Sequence, residues 1–270
     1  MGPSDHRQSV LITGAAGGLG KLLVPHLARM FSLSLLDRQA DSPSPALPYY
    51  PIDLVENPDL AACLSGVDTV VHLAGEPTSN PPWEKIFAAN VLATENLFRA
   101  AHRAGCRRVI LASTVQVLDG YPRGMEITPD FPVWPVNPYA VSKACAEAVA
   151  ARFARKGVVS TICLRLGWVL PVYDWRITPW SPYLDRILTN GDFLRAMQSV
   201  LSYRGGDPFE IHHVLSDNRV KRLNIDSSRE RLGYRPRDDA HAIARWNVPG
   251  MARAAAIRVR RRLNLAGRLA

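Results

Sequence analysis

The chain lacks a long hydrophobic run. None of the apolar stretches in its 270 residues reaches the roughly 18 residues that a membrane-spanning helix needs. The first ten residues, MGPSDHRQSV, lack the apolar core of a signal peptide. Cysteine is scarce, with four residues at 63, 106, 145 and 163, and none has the spacing of metal ligands. We therefore expect buried, reduced thiols, no metal site and a cytoplasmic location.

Acidic residues are absent from the last 20 positions, where six arginines lie. Six of the nine net positive charges thus belong to residues 251–270, which leaves +3 for the other 250 residues. This distribution argues against a nucleic-acid-binding face on the folded core. An amphipathic helix on an acidic membrane surface is one interpretation of the basic tail. We favour a solvated, partly disordered end.

Short apolar segments alternate with helical patterns as far as residue 165. This alternation predicts an α/β fold with a doubly wound parallel sheet of the Rossmann type, covered on both faces. The segment 168–183 is rich in Trp, Tyr and Pro, so it either walls a substrate pocket or belongs to the core. We expect a dinucleotide-binding core at 1–165, a small C-terminal substrate-binding cap at 166–240 and a basic tail at 241–270.

The predicted elements follow from these patterns. Strands are expected at 8–13, 31–36, 49–52, 67–73, 108–112, 158–164 and 208–215. Helices are expected at 18–30, 59–64, 83–104, 137–156 and 227–232, and another from Asp192, as its N-cap, to 202. His212 and His213 fall in a strand, so their side chains point to opposite faces, and we expect surface histidines rather than a metal pair.

A glycine-rich loop, TGAAGGLG at 13–20, follows the first strand and opens a helix. In this spacing the first glycine permits a tight turn, the second admits a pyrophosphate to the backbone N–H groups, and the third lets helix and strand pack closely. The helix N-terminus adds partial positive charge. Because the loop lacks GK[ST], we predict a dinucleotide site rather than a hydrolysing P-loop. Expected contacts are Gly14, Gly17, Gly18, Leu19 and Gly20.

Asp37 ends the second predicted strand, 17 residues after Gly20. A carboxylate there accepts hydrogen bonds from both hydroxyls of an adenosine ribose and repels a 2′-phosphate. This predicts NAD as the cofactor in preference to NADP. Arg38 is adjacent and could pair with a phosphate, so we include it among the cofactor contacts.

Tyr139 and Lys143 form a Tyr-x-x-x-Lys pair in YAVSK, and an i,i+4 spacing places both side chains on one helix face. A nearby ammonium favours the phenolate, so we expect Lys143 to lower the pKa of Tyr139 and make it a usable base. Ser113 and Thr114 end the preceding strand, at the sheet edge where open α/β folds bind ligands. The Thr114 hydroxyl can therefore hydrogen-bond the same substrate oxygen.

Four motifs occur in order along the chain: the glycine loop, HLAG at 72–75, LAST at 111–114 and YAVSK at 139–143. With these motifs the chain resembles the extended short-chain dehydrogenase/reductases, the NAD-dependent epimerase/dehydratase group. The resemblance covers residues 8–240. The resemblance implies that Thr114 orients the substrate, that Tyr139 is the acid/base, and that Lys143 tunes it and binds the nicotinamide ribose. It also implies further cofactor contacts at Asp53, Leu54, Leu73, Ala74, Gly75, Asn90, Ser113, Tyr139 and Lys143. For Asn90 a helix-surface asparagine is the alternative.

Within this group the chain looks most like uronate dehydrogenases, on ANVLATENLFRAA at 89–101, LDGYP at 118–122, YDWRITPW at 173–180 and RLGYRPRDD at 231–239. Arg176 falls where those enzymes carry a carboxylate-binding arginine. Pairing with Asp174 or Asp185 is its alternative role. An expected Asn-His pair is replaced by Val115 and Gln116, and expected serines by Pro77, beside Thr78, and by Trp168. The predicted substrate-binding residues are Thr78, Thr114, Val115, Gln116, Trp168 and Arg176.

We therefore predict an NAD-dependent oxidoreductase that removes hydride from a hydroxyl carbon of a sugar or sugar-acid-like small molecule. A nucleotide-sugar epimerase or dehydratase is the first alternative, although such enzymes usually need a larger C-terminal part. A non-catalytic NAD(P)-binding sensor or scaffold is the second, against which the intact Thr-Tyr-Lys set argues. We expect no nucleic-acid partner and a homo-oligomer.

Overall fold

The computed structural model describes residues 7–56, 59–155, 157 and 159–266, and for 258–266 it gives the course of the backbone. Within these residues nine strands form. They are β1 Ser9–Thr13, β2 Ser32–Asp37, β3 Tyr49–Pro51, β4 Thr69–His72, β5 Arg108–Thr114, β6 Ser160–Leu166, β7 Trp168–Leu170, β8 Ile187–Thr189 and β9 Phe209–Val214. The predicted strands are therefore present, with ends that shift by at most two residues.

Nine α-helices lie in the same described residues. They are α1 Gly18–Leu27, α2 Ala61–Leu64, α3 Trp83–Phe87, α4 Ala93–Arg103, α5 Pro138–Arg155, α6 Asn190–Ser202, α7 Asp226–Glu230, α8 Ala240–Trp246 and α9 Val248–Ala266. A π-helical turn, Ala88–Leu92, joins α3 to α4, and 3-10 turns cover Val115–Leu118 and Leu184–Arg186. None of the helices among the described residues is long and apolar enough to cross a membrane.

The main sheet is parallel throughout the described chain and has the strand order β3-β2-β1-β4-β5-β6-β9. The chain builds outward from β1 in one direction and from β4 in the other, so the order reverses between these two strands. Their carboxyl ends are in register, with Thr13 beside His72. In open α/β sheets the ligand crevice lies outside such a switch point.

Side chains from alternate positions fill two separate cores, one on each face of the sheet. Val10 and Ile12 pack with α1 and α6, whereas Leu11 packs with α4 and α5. All seven residues of β5 are buried, as expected for a central parallel strand. The predicted doubly wound fold is confirmed.

Beyond the carboxyl ends of β5, β6 and β9, the chain forms two smaller apolar clusters. One gathers Val115, Val117 and Leu118 against Ile127 and neighbouring residues. The other lies under the paired strands β7 and β8 and the helix α8. The aromatic segment 168–183 thus contributes partly to a core, through Trp168 and its neighbours.

Two sequence expectations about polar residues are wrong. The N-cap of α6 is Thr189, whose hydroxyl accepts a hydrogen bond from the Asp192 N–H at 3.1 Å. Asp192 is instead fully buried and accepts from Arg195 and from two backbone N–H groups. His212 and His213 are buried rather than on the surface, because α7 and the residues before it cover β9.

The arginine-rich tail, expected as a solvated, partly disordered end, is helical as far as Ala266. Residues 267–270 lie outside the described residues.

Candidate active site

The glycine loop has the geometry of a close-packed turn. Gly14 has φ +71°, and a Cβ on it would lie 2.6 Å from the backbone nitrogen of Ala74. A Cβ on Gly20 would collide with the carbonyl oxygens of Gly14 and Ala15. A Cβ on Gly18, by contrast, would meet open space. The loop is therefore tied to β4 and to α1 on one side, and on the other it leaves a backbone surface that a pyrophosphate can approach.

Asp37 is held against this loop at the end of β2. Its Oδ2 accepts a hydrogen bond from the Ala16 N–H at 2.9 Å, and Oδ1 accepts one from Gln39 at 3.1 Å. The carboxylate is 8% exposed, while Arg38 is exposed. The structure thus brings Asp37 to the glycine loop, where the predicted ribose contact requires it.

The Asp53–Leu54 pair follows β3, next to the glycine-loop side of the sheet. Asp53 Oδ1 accepts from the Val55 N–H at 2.8 Å, and Leu54 is buried in the α4 side of the core. Leu19, at the start of α1, is partly buried against the opposite core.

The segment after β4, Leu73–Gly75, lies at the switch point. Thr13 Oγ1 is 2.7 Å from His72 Nδ1 and accepts from the Ala74 N–H at 3.4 Å, which ties the segment to β1. A Cβ on Gly75 would lie 2.5 Å from Asn90 Oδ1 and 3.5 Å from Lys143 Nζ. Because no side chain larger than hydrogen fits there, Gly75 lets the lysine approach the loop closely.

Asn90 is buried in the π-helical turn and is not the helix-surface residue of the alternative interpretation. Its Nδ2 donates to Ser142 Oγ at 2.8 Å and to the Glu76 carbonyl at 3.0 Å, and its Oδ1 accepts from the Glu76 N–H at 2.7 Å. Asn90 therefore fastens the Gly75–Glu76 segment to α5, and so it positions this segment beside Lys143.

Thr114, Tyr139 and Lys143 come together at the carboxyl end of β5. The Thr114 hydroxyl lies beside the phenol of Tyr139 and favours its charged form, which lowers the pKa. Lys143 is 7% exposed, and its Nζ donates to the Ala112 carbonyl at 3.0 Å. This is the arrangement that the motifs predict, with the lysine placed between β5 and Gly75.

The electrostatics of this trio differ from the expectation that Lys143 lowers the pKa of Tyr139. Burial raises the pKa of Tyr139 to about 12, and the neighbouring Thr114 hydroxyl opposes this rise. Burial also lowers the pKa of Lys143 to about 8, which Glu147 opposes. Both buried groups are thus biased toward their neutral forms.

Three of the predicted substrate residues, Thr78, Val115 and Gln116, precede the cap in the chain. Val115 points into the apolar cluster with Val117, so its side chain has no free surface, contrary to the prediction. Gln116 Oε1 accepts from Asn137 Nδ2 at 3.1 Å, close to the start of α5. Thr78 is exposed and donates to Glu76 at 2.8 Å.

The two predicted residues after β6 lie in the cap. Trp168 contacts the Tyr183 ring, with centroids 4.8 Å apart. Arg176 forms a two-pronged pair with Asp174, from Nε and Nη2, both at 2.8 Å. Asn247 fixes this loop through the carbonyls of Asp174 and Ile177. The structure therefore shows the alternative role of Arg176, and a carboxylate ligand would have to compete with Asp174.

The sequence profile of the NAD dependent epimerase/dehydratase family matches residues 10–172. The chain belongs to this family. The resemblance predicted from the motifs is thereby confirmed.

Individual members of the family support the same placement. An NAD-dependent glucose-6-phosphate dehydrogenase of Haloferax volcanii is 27% identical, covering 86% of this chain and 94% of that protein. A uronate dehydrogenase of Pseudomonas putida is also 27% identical, covering 86% of this chain and 84% of that enzyme. The crystal structure of uronate dehydrogenase from Agrobacterium tumefaciens matches with a TM-score of 0.79 and 28% identity, covering 89% of this chain and 88% of that one.

The sequence motifs of this epimerase/dehydratase-family chain did not predict a buried ion pair that the structure contains. Glu147, on the α5 face that carries Tyr139 and Lys143, accepts from Arg165 Nε at 3.0 Å and Nη2 at 2.9 Å. The Ser113 hydroxyl also donates to Glu147, at 2.5 Å, so it is engaged away from the predicted cofactor contact. Extending the i,i+4 spacing from Lys143 by one step would have pointed to Glu147.

Helix α5 begins beside Asn137, where the sequence predicts a helix start, and Ser79 adds contacts there that the sequence did not predict. Asn137 Oδ1 accepts from the Ala140 N–H at 2.9 Å and from Ser79 Oγ at 3.0 Å. The Tyr139 N–H in turn donates to Ser79 Oγ at 3.3 Å. These bonds fix the helix turn that carries the phenol and connect it to the Glu76–Ser79 segment.

Proposed function

We propose that this chain is an NAD-dependent dehydrogenase that oxidises a hydroxyl carbon of a sugar or sugar acid. The observation that carries the proposal is the grouping of Thr114, Tyr139 and Lys143 at the carboxyl end of β5, with Lys143 bonded to the Ala112 carbonyl and close to Gly75 at the switch point of the sheet. The relatives described above are named as dehydrogenases of glucose 6-phosphate and of uronates. These names support a carbohydrate as the substrate that the enzyme oxidises.

The residues present fit NAD. The backbone at Gly14 and Gly20 admits no Cβ, and the neighbouring N–H groups at the N-terminus of α1 suit a pyrophosphate. The Asp37 carboxylate suits an unphosphorylated ribose. When bound, NAD supplies the hydride acceptor.

The proton of the substrate hydroxyl is handled by this chain's own residues. Thr114 orients the oxygen, and Tyr139 exchanges the proton at its phenol oxygen. Because the pKa of Tyr139 is about 12 in the free protein, the phenol carries its proton at neutral pH. It can thus donate a proton directly for carbonyl reduction, whereas hydroxyl oxidation requires the phenol to lose its proton first.

We propose Gln116, Thr78 and Trp168 as substrate contacts, because Gln116 bonds to Asn137 at the start of α5, Thr78 is exposed beside Glu76, and Trp168 opens the cap. Arg176 contributes only if its pair with Asp174 opens. We also propose a cytoplasmic location, supported by four cysteines that are all free. Assembly into a homo-oligomer is proposed as well and is measured by light scattering during size-exclusion chromatography.

The proposal is tested by NADH formation with a panel of aldoses, uronic acids, sugar phosphates and nucleotide sugars. Tyr139→Phe should lower kcat by about 10²- to 10⁴-fold, because it removes the proton acceptor. The affinity for NAD, measured by calorimetry, should stay near that of the parent chain. Tyr173→Phe, on an exposed tyrosine of the cap, serves as the matched control and should be fully active.

The results separate the alternatives. Full activity in Tyr139→Phe would refute the mechanism. Conversion of a nucleotide sugar without release of NADH would favour an epimerase or dehydratase. NAD binding without turnover of any panel member would favour a non-catalytic role.

A further inference from the structure

A cavity of about 350 Å³ lies apart from Thr114, Tyr139 and Lys143, and none of these three lines it. Its walls come from segment 123–126, the end of the cap loop at 181–186, residues 220–222 and His241 of α8. Such a volume is large enough for a small ligand. We call it the arginine cavity, because Arg123, Arg186 and Arg222 line it.

Two of these arginines are incompletely paired. Arg186 donates from Nη1 to Asp119 at 2.8 Å, and Arg222 donates from Nη2 to the carbonyls of Leu118 and Tyr121 at 3.2 and 2.6 Å. The buried Nε of each guanidinium has no hydrogen-bond partner. Asp185 lies 4.0 Å from Arg186 Nε, which is too far for a hydrogen bond. Each guanidinium therefore keeps unused N–H donors, since arginine has five.

The cavity carries charges of both signs, since Glu126 and Asp185 line it together with the arginines and Lys221. Burial lowers the pKa of Arg222 and the like charge of Arg186 lowers it further, whereas Asp119 and Asp185 oppose this change. Lys221 is paired with Asp217 at 2.6 Å, so its charge is compensated. The hydrogen bonds of Arg222 end on neutral carbonyls, which leaves its charge without a bonded carboxylate.

His241 also lines the cavity. Among the described residues, seven buried side-chain atoms lack a partner, and three of them, Arg186 Nε, Arg222 Nε and His241 Nδ1, belong to residues that line this one cavity. Asp239 Oδ1 lies 3.5 Å from His241 Nδ1. The guanidinium N–H groups that remain unused beside the cavity suit an acceptor that enters it.

We propose that the arginine cavity binds an oxyanion, a carboxylate or a phosphate group, between Arg186 and Arg222. Guanidinium groups bind both oxyanions through paired N–H donors, and an anion there removes the repulsion between the two arginines. Arg123, which is exposed at the cavity mouth, adds charge that attracts the anion.

The position of the cavity suggests what the anion does. Arg186 and Arg222 bind Asp119 and Leu118, at the end of the turn that begins directly after Thr114. The oxyanion therefore either belongs to the substrate itself or is a free anion that braces this turn. The first source rests on the proposed function, whereas binding of an anion to the cavity does not.

Inorganic phosphate is the probe. It is titrated calorimetrically into the full chain with saturating NAD, which blocks the glycine loop, and at constant ionic strength. We expect saturable binding that Arg186→Gln and Arg222→Gln each weaken by about tenfold or more, as for the loss of a hydrogen bond to a charged group. Arg29→Gln, on an exposed arginine that does not line the cavity, should bind phosphate as the parent chain does. Because Arg186 and Arg222 also hold the turn, Arg123→Gln is the variant that spares folding, and it should weaken binding several-fold.

Phosphate is then added to the dehydrogenase assay. Competition with a uronic acid or a sugar phosphate, but not with a neutral aldose, assigns the cavity to the acid group of the substrate. Binding without competition assigns it to a free anion, and both outcomes support the proposal. The proposal is overturned if phosphate shows no saturable binding, or if the cavity variants bind it as tightly as the parent chain. Failure to bind NAD or to turn over any substrate would refute the proposed function alone.

Discussion

Replacing Glu147 by Gln offers a quantitative test of how the catalytic helix is held. The carboxylate is 6% exposed and binds the 2% exposed Arg165 through two hydrogen bonds of 3.0 and 2.9 Å. It also accepts the Ser113 hydroxyl at 2.5 Å. Gln keeps the size of the side chain but removes its charge, so the variant leaves the guanidinium buried without a counter-charge.

The expected cost follows from that burial. Breaking one partner of a buried ion pair destabilises proteins by about 3–5 kcal/mol, because the remaining charge is uncompensated. Total stabilities are about 5–15 kcal/mol, so the variant should unfold at a clearly lower denaturant concentration. The double variant Glu147→Leu, Arg165→Met removes both charges, and we expect it to lose far less than the sum of the single variants.

The assay is urea denaturation of Glu147→Gln and of the four proteins of the cycle, which are the parent chain, Glu147→Leu, Arg165→Met and the double variant. The difference between the double variant and the summed single variants should be several kcal/mol, which exceeds the scatter of additive sites, about 0.3–0.5 kcal/mol. Additive losses, or a loss below about 1 kcal/mol in Glu147→Gln, would refute the argument that a buried charge is left unpaired.

The same variant has a kinetic consequence. Glu147 raises the pKa of Lys143 against the lowering effect of burial, which leaves that pKa at about 8. Removing the carboxylate therefore moves the pKa of Lys143 below about 8. In the pH profile of kcat/KM, the alkaline limb should shift toward lower pH. A limb that stays in place would show that Lys143 ionisation is independent of Glu147.

Two further variants test cofactor choice and acid stability. Asp37→Ser should raise the ratio of kcat/KM for NADP to kcat/KM for NAD by about tenfold or more, because a charged hydrogen-bond acceptor for the ribose is lost. The control Asp41→Ser, on an exposed carboxylate, should leave this ratio unchanged. Burial lowers the pKa of His213 to about 3. Below about pH 6.5 the unfolded chain therefore binds a proton at this histidine that the folded chain does not bind. The free energy of unfolding consequently decreases as the pH falls. His213→Gln should reduce the loss of unfolding free energy between pH 7 and 5 by about 2 kcal/mol, and exposed His102→Gln should not.

The sequence predicted what depends on backbone periodicity and on local geometry. Short apolar runs predict the strands of the main sheet. The glycine spacing predicts the loop, because a residue with a side chain does not fit at its close-packed positions. Gly14 and Gly20 are examples, since a Cβ on either would collide with backbone atoms. Such requirements are local, so they are visible in one stretch of sequence.

Pairings between distant polar residues could not be predicted in this way. Thr189 replaces Asp192 as the helix cap because Asp192 is drawn inward by Arg195 and by the backbone near Asp238, 46 residues away. His213 is buried because the residues before α7 fold over β9. The ion pair of Glu147 needs β6 beside α5, which only the fold provides. Val115 illustrates the same limit, since a motif fixes its position but not the direction of its side chain.

The ionisation of the proposed catalytic pair, Tyr139 and Lys143, depends on neighbouring side chains. Burial raises the pKa of Tyr139 to about 12 and lowers that of Lys143 to about 8, so both effects work against the charged pair that oxidation needs. Thr114 opposes the first effect and Glu147 opposes the second. Glu147 can do so only while Arg165 balances its charge, because an unpaired buried carboxylate would be protonated. The charge on Lys143 is therefore controlled from Arg165 on β6, across one helix and one strand of the fold.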